Sequence, residues 1–273
     1  MNVRRLGGVD ETGTLAVEAA RTASYAPKRW SEHQMIPLLS DAIEAHGGLR
    51  RWNLHRRLTA TIVTGGEFWA LKGLDQDQNP RTMRVDLHRE WASVEPFGKA
   101  GQRTDFTPER IAIEAEDGRI IAERKNPRDS FAGHDMRTNW DPLHRAYFNG
   151  YALWTYLTTP FLLAMEGFEV REIEPWREGA ETWRGLRATF PPAIASHSLE
   201  QDFYFGPDML IRRHDYRVAI SGDFPAAQYI SDPVTVEGIR IPTRRRAYLR
   251  NEDLTPMLDA LMVSIDLSGF RFD

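Results

Sequence analysis

The 273-residue sequence contains no cysteine. Thiol nucleophiles, thiolate-ligated zinc, iron–sulfur clusters and disulfide cross-links are therefore excluded. Lysine is scarce as well: Lys28, Lys72, Lys99 and Lys125 stand among basic residues that are otherwise all arginine, as a GC-rich bacterial coding sequence would give. No charge sign dominates, with 35 basic against 39 acidic residues and a net charge of -4, so the overall charge draws the chain neither to nucleic acid nor to an anionic bilayer. Long hydrophobic runs are missing. The most apolar window, residues 152–165, is broken by Tyr156, Thr158, Thr159 and Pro160 and is too short to span a membrane, so no membrane insertion is expected. The start, Met1-Asn2-Val3-Arg4-Arg5, leads into Gly7-Gly8-Val9-Asp10-Glu11 and not into an apolar stretch, which predicts a cytoplasmic protein without a secretory signal.

Recognised catalytic motifs are absent too. The pairs Gly7-Gly8, Gly47-Gly48 and Gly65-Gly66 form neither a phosphate loop nor a dinucleotide fingerprint. Ser196 and Ser198 flank His197 without a Gly-x-Ser-x-Gly elbow. His134, Asp135, Asp141 and His144 lack a defined metal-ligand spacing, and Asp141 is better placed as a helix cap. The expectation is a protein with no cofactor and no metal.

What is present is an ordinary globular composition, 41% hydrophobic and 27% charged, with 8 Trp, 8 Tyr and 13 Phe. The length allows one large domain or two small ones. Over residues 35–46 Pro37 suits a first helical turn, Ile36, Leu39 and Ile43 form one stripe, and Gly47-Gly48 stops the helix. From Leu58 the period changes to two, and Gly65-Gly66 before residues 68–72 predicts a bulge in a long, bent strand. Met83, Val85, Leu87 and Trp91 alternate with polar residues as a further strand, and Asp117-Gly118 marks a hairpin over 111–124. Asp141-Pro142 then opens a helix running to about residue 166, which Pro160 should kink or split. Strand patterns return at 168–173, 182–190, 197–205, 209–218, 226–230, 244–249 and 263–272, with no βαβ alternation and no internal repeat. The expected architecture is α+β, mainly β. An irregular arm over residues 1–30 precedes a single domain over 31–273, a long curved antiparallel sheet forming an incomplete barrel with helices packed on its concave side.

That order of elements, over about residues 35–272, resembles the half-barrel of the bacterial lipoprotein carriers LolA and LolB, in which helices close an incomplete barrel over an apolar cavity. Ala45-His46-Gly47-Gly48, Trp154-Thr155-Tyr156-Leu157-Thr158-Thr159-Pro160-Phe161 and Arg213-His214-Asp215-Tyr216 look like stretches of an uncharacterised bacterial family within that fold. The resemblance implies an apolar cavity. The same half-barrel appears in a violacein-pathway enzyme that needs no cofactor, so carrying and catalysing both stay open.

Two groups of residues mark where such a cavity would have its chemistry. On the long helix His144, Tyr147, Phe148, Tyr151, Trp154 and Thr158 follow spacings of three and four; they are either a packing stripe or a rigid wall with polar tips for a ligand. In the hairpin 196–218, a loop over 206–209 pairs Phe205 with Leu210, Phe203 with Arg212, Gln201 with His214 and Leu199 with Tyr216. His197, Leu199, Gln201, Phe203, Arg212, His214 and Tyr216 then share an inward face, and Glu200 and Asp202 approach Arg213 on the other. His214 as proton donor or acceptor, Tyr216 as its partner and Arg212 as anion stabiliser form a candidate catalytic group; the same residues also read as satisfied core polar groups. His144, Tyr147, Tyr151, Trp154, His197, Gln201 and Phe203 are the candidate ligand contacts. Arg244-Arg245-Arg246 reads as alternating outward charge on a strand, a solvated face with contact to an acidic ligand head group as the alternative. The partner expected is a hydrophobic or aromatic small molecule, bound with or without acid/base conversion; a non-catalytic carrier or sensor of an acyl ligand is the alternative, and a filled concave side would favour a structural protein instead. The oligomeric state is left open.

Overall fold

The computed structural model describes residues 35–273, and the arm expected over residues 1–30 lies outside the described residues. α1 (Pro37–Ala45) buries Leu38, Leu39, Ala42 and Ile43, and α2 (Leu49–Trp52) follows after the two glycines. β1 (Arg57–Gly65) alternates as its period predicts, with Leu58, Ala60 and Ile62 inward. The bent strand expected through residues 68–72 does not form: Phe68–Leu71 make one helical turn, α3, that buries Phe68 and Trp69. The cause is Gly66. Its φ of +100° turns the chain where a Cβ would stand 2.3 Å from the Met262 carbonyl oxygen, a path that only glycine takes.

A meander follows, made of β2 (Arg81–Asp86), β3 (Ala92–Glu95), β4 (Gln102–Thr107), β5 (Arg110–Ala115) and β6 (Ile120–Lys125). The strand expected to reach Trp91 stops at Asp86, whose carboxylate accepts the amides of His88 and Arg89 at 3.0 and 3.2 Å and turns the chain. The long helix, α4 (Pro142–Thr158), opens on a capping box: Asp141 Oδ1 accepts the His144 amide at 2.8 Å, and the Asp141 amide donates to His144 Nδ1 at 3.1 Å. Pro160 divides it from a 3-10 turn, Phe161–Ala164, as expected. β7 (Glu169–Glu178), β8 (Glu181–Thr189), β9 (Glu200–Phe205), β10 (Ile211–Val218), β11 (Phe224–Val236), β12 (Ile239–Arg250) and β13 (Pro256–Phe272) complete the chain.

The thirteen strands form one antiparallel sheet in the order β6-β5-β4-β3-β2-β1-β13-β12-β11-β10-β9-β8-β7. The first meander runs outward from β1 to one edge, α4 carries the chain to the opposite edge, and the second meander returns to pair β13 with β1. The sheet is open, an incomplete barrel with α4 across its concave side. From Ala146 to Thr158 every residue of α4 is buried. Gly150 explains how close the helix lies: a Cβ there would stand 2.2 Å from the Phe106 ring.

The β9–β10 hairpin departs from the expected register. Its loop extends over residues 206–210, with Met209 at φ 59° and the Gly206 amide donating to the Leu210 carbonyl at 3.0 Å. Phe205 therefore pairs with Ile211. A bulge between Ile211 and Arg213 then adds a second shift, so that Tyr204 pairs with Arg213, Phe203 with His214 and Asp202 with Asp215. The two shifts together restore the alternation, so His214 and Tyr216 still face inward. Arg212, at the bulge, is turned out and pairs with Asp208 at 2.7 Å. Leu199 precedes β9 and is 60% exposed, so it does not join the inward set. The outer face also differs: Asp202 binds Arg187 of β8, while Arg213 pairs with Asp215 of its own strand.

Candidate functional site

Beneath α4 the inward side chains of β9, β10, β11 and β12 bring a polar cluster together. The Tyr151 hydroxyl lies 3.2 Å from His197 Nδ1, the Tyr156 hydroxyl 2.6 Å from His197 Nε2, and Tyr156 and Tyr216 join their hydroxyls at 3.0 Å. The His197 ring is stacked on Tyr216 with centroids 4.1 Å apart. Gln201 Nε2 donates to the Ser198 carbonyl at 2.9 Å, which orients its amide and leaves Oε1 to accept from His214 Nε2 at 2.7 Å. His214 also stacks on Phe203 at 4.3 Å. Of the sequence-predicted residues the structure thus unites Tyr151, His197, Gln201, Phe203, His214 and Tyr216. It does not bring Arg212 to them. Trp154 is core and donates to the Asp86 carbonyl at 2.8 Å, and His144 is occupied by the cap among Phe131, His134 and Trp140.

The electrostatics of this cluster follow from its burial. Desolvation, with the Arg128 charge adding to it, lowers His197 to about 3, and desolvation pushes His214 well below the usual range. Both rings are neutral at physiological pH. Burial likewise raises Tyr156 to about 12 and holds Tyr151 and Tyr216 well above the phenol range. Of the alternating run Arg244-Arg245-Arg246, Arg245 is the inward member: it donates to Gln228 Oε1 at 2.8 Å and to the Tyr156 carbonyl, and lies over the Tyr156 ring. A neutral histidine and protonated tyrosines could exchange protons along the chain Tyr151–His197–Tyr156–Tyr216. None of these rings reaches solvent in this conformation.

An open cleft lies beside the cluster. Its volume is about 220 Å³, and its apolar walls are Phe190, Pro191, Pro192, Ile194 and Leu199. Tyr147 of α4 and Ser196, next to His197, also line it, so the cleft meets the buried network at its edge. Arg128, on the 3-10 turn Pro127–Phe131, is the charged side chain in this lining and donates to the Ser196 carbonyl at 2.9 Å. Behind the wall, buried Glu90 accepts the Ala195 amide at 2.8 Å through Oε2 and has no partner at Oε1. Desolvation holds its carboxyl well above the ordinary range, against the opposing pull of the Ala195 amide and Arg128. Sequence reasoning missed Arg128, which comes from a single helical turn where no period marks the inward residue, and weighed Ser196 only as a nucleophile beside His197. The Pro191-Pro192 pair was the available signal for a rigid wall.

No protein-family model and no curated protein sequence matches the chain. Solved structures do resemble it. A candidate outer membrane lipoprotein-sorting protein domain from Vibrio parahaemolyticus superposes with a TM-score of 0.50 at 9% identity, over 89% of this chain and 94% of its own. A LolA superfamily protein from Nitrosomonas europaea superposes with a TM-score of 0.47 at 10% identity, over 86% of this chain and 92% of its own. This chain shares the fold of the Vibrio domain. At such identity the likeness is one of fold, and it agrees with the half-barrel layout read from the sequence. Among the described residues no helix is long and apolar enough to cross a membrane, and no group of three His, Asp or Glu side chains is placed to hold a metal ion.

Proposed function

We propose that this protein binds a small apolar molecule in the cleft between Phe190, Pro191, Ile194, Leu199 and Tyr147. The observation that carries the reading is the cleft itself, an apolar hollow of about 220 Å³ beside a long helix that is buried from Ala146 to Thr158. Drug-sized ligands occupy roughly 300–1,000 Å³, whereas an apolar cavity of about 150 Å³ accepts benzene. The cleft therefore suits one substituted ring or a short acyl chain. The Vibrio domain of the same fold is described as a lipoprotein sorter. Cargo as large as the acyl chains of a lipoprotein would have no room here without displacing α4.

Binding without chemistry is the version the geometry favours. His214 is neutral, spends Nε2 on Gln201 and is covered by α4, and Arg212 is turned away from it. A group so placed neither touches a molecule in the cleft nor delivers a proton to it. Native mass spectrometry of freshly purified protein, followed by a thermal-shift panel of monocyclic aromatics and short-chain acids, tests the reading. A retained or stabilising molecule of fewer than about a dozen heavy atoms, lost in Leu199→Glu, is the expected result. Absence of any binder would leave the filled concavity as a structural core and remove the reading.

A further inference from the structure

We infer that the cleft selects a carboxylate, taking the apolar body of the molecule against Phe190, Ile194 and Leu199 and its anionic head against Arg128. The inference rests on the binding reading above and goes further by naming the ligand class. Three observations support it. Arg128 is the charged residue in the lining, and among the described residues no carboxylate lies within ion-pair distance of it; it donates to the Ser196 carbonyl and also bonds the Tyr147 hydroxyl, both neutral partners. Among the described residues thirteen other arginines, Arg213 and Arg187 among them, sit on acids, whereas the recorded partners of Arg128 are the neutral Ser196 and Tyr147. A guanidinium presents a planar fork that matches a carboxylate with two parallel hydrogen bonds, and the donors not spent on Ser196 and Tyr147 are left for it.

The second observation is that the nearest acids do not cancel this charge. Glu90, behind Ala195, is 7% exposed, and its burial disfavours the charged carboxylate; its Oε2 faces the Ala195 amide, not Arg128. Glu109, the other acid whose charge reaches Glu90, is exposed to water. The third is that the remaining polar groups of the lining are donors or neutral. Tyr147 stays a phenol, pushed up to about 12 by burial, and Ser196 spends its hydroxyl on the Ser198 carbonyl at 2.9 Å. The cleft is apolar with one positive pole, which fits an aromatic or short aliphatic acid and gives no hydrogen-bonding match for a sugar or a nucleotide.

Isothermal titration of the whole chain with sodium benzoate and with benzamide, its neutral counterpart of the same shape, tests the proposal on the wild type, Arg128→Gln and Arg128→Lys. The expected result is benzoate binding at least about tenfold tighter than benzamide in the wild type, the value of one charge-assisted hydrogen bond. R128Q should erase most of that difference by weakening benzoate far more than benzamide, and R128K should keep part of it. Equal binding of the two probes in the wild type, or benzoate affinity untouched by R128Q, overturns the carboxylate inference while the apolar cleft stands. Failure of both probes to bind overturns the binding reading as well. Should R128Q fail to fold, salt decides: benzoate binding that weakens from low to high ionic strength while benzamide does not supports the ion pair, and salt-insensitive benzoate binding refutes it.

Discussion

The Arg213 guanidinium has no exposed side-chain surface, and Asp215 holds it with hydrogen bonds of 2.6 and 2.7 Å while Trp176 covers its face at 4.2 Å. Arg212, one residue earlier, is a partly exposed partner of Asp208. Removing the acid has opposite consequences at the two sites. Asp215→Ala strands a buried cation and should lower stability by about 3–5 kcal/mol, whereas Asp208→Ala should cost under about 1 kcal/mol, both read by urea denaturation. Similar losses would show that Arg213 is rescued by Arg250's route to water or by Leu254, and would refute its burial as the cause. His214 gives a test of a different kind. Its folded pKa lies well below the unfolded value of about 6.5, so the unfolded state takes up a proton first; the stabilisation is complete above pH 6.5 and is lost as pH falls below it. Relative to His214→Gln, the wild type should lose about 2 kcal/mol more between pH 7 and pH 5. The comparison with the variant isolates this residue from His46 and His197, which act in the same direction, and from Glu90, which acts in the opposite one. Parallel pH profiles would mean that His214 titrates alike in the folded and unfolded protein and that its burial does not shift it.

Elements with one buried face were legible in the sequence, and elements buried or exposed on both faces were not. β1 matches its expected alternation, the β5–β6 hairpin forms about Asp117-Gly118 as expected although its strands do not alternate in burial, and the start of α4 was readable because Asp141-Pro142 acts through local backbone chemistry. Residues 231–235 of β11 are exposed on both faces, so no apolar period marked the outer half of that strand. The aromatic spacing of α4 marked Tyr151 but not Tyr156, which joins His197 to Tyr216, and spacing alone does not tell one face of a helix that is buried all round. The β9–β10 register shows the same limit: Gly206-Pro207 announced a turn, but the positive φ of Met209 and the bulge that expels Arg212 are set by tertiary packing. Gly150 is where the seating of α4 is testable. Gly150→Ala forces a methyl group into the Phe106 ring, and a well-packed core resists such insertion by about 1–3 kcal/mol. Phe106→Leu should cost stability alone and yet lessen the penalty of G150A when the two are combined, a coupling read from a double-mutant cycle of denaturation midpoints. Additive losses would place the strain of G150A elsewhere.

At the scale of the molecule the question is whether α4 is a fixed part of the core or a lid that lifts to admit a larger guest. The helix joins the two edges of the sheet, β6 through the Pro127–Phe131 turn and β7 through Phe161–Ala164, and it is surrounded by protein along residues 146–158. Lifting it would expose Tyr147, Phe148, Tyr151, Leu153, Trp154 and Leu157 and break the hydrogen bonds from Tyr151 and Tyr156 to His197. At about 2 kcal/mol for each large side chain, opening costs roughly 10–15 kcal/mol, which is comparable to the whole stability of a domain, roughly 5–15 kcal/mol. The helix therefore has no cheap open state. Native-state hydrogen exchange should show the amides of residues 147–158 opening only with global unfolding, at the free energy and denaturant dependence found by equilibrium denaturation, while the exposed outer end of β11 exchanges far sooner. Cooperative exchange of α4 well below the global free energy would instead identify it as a lid, and the occupant of the concave side could then be far larger than one that fits the cleft beside Arg128.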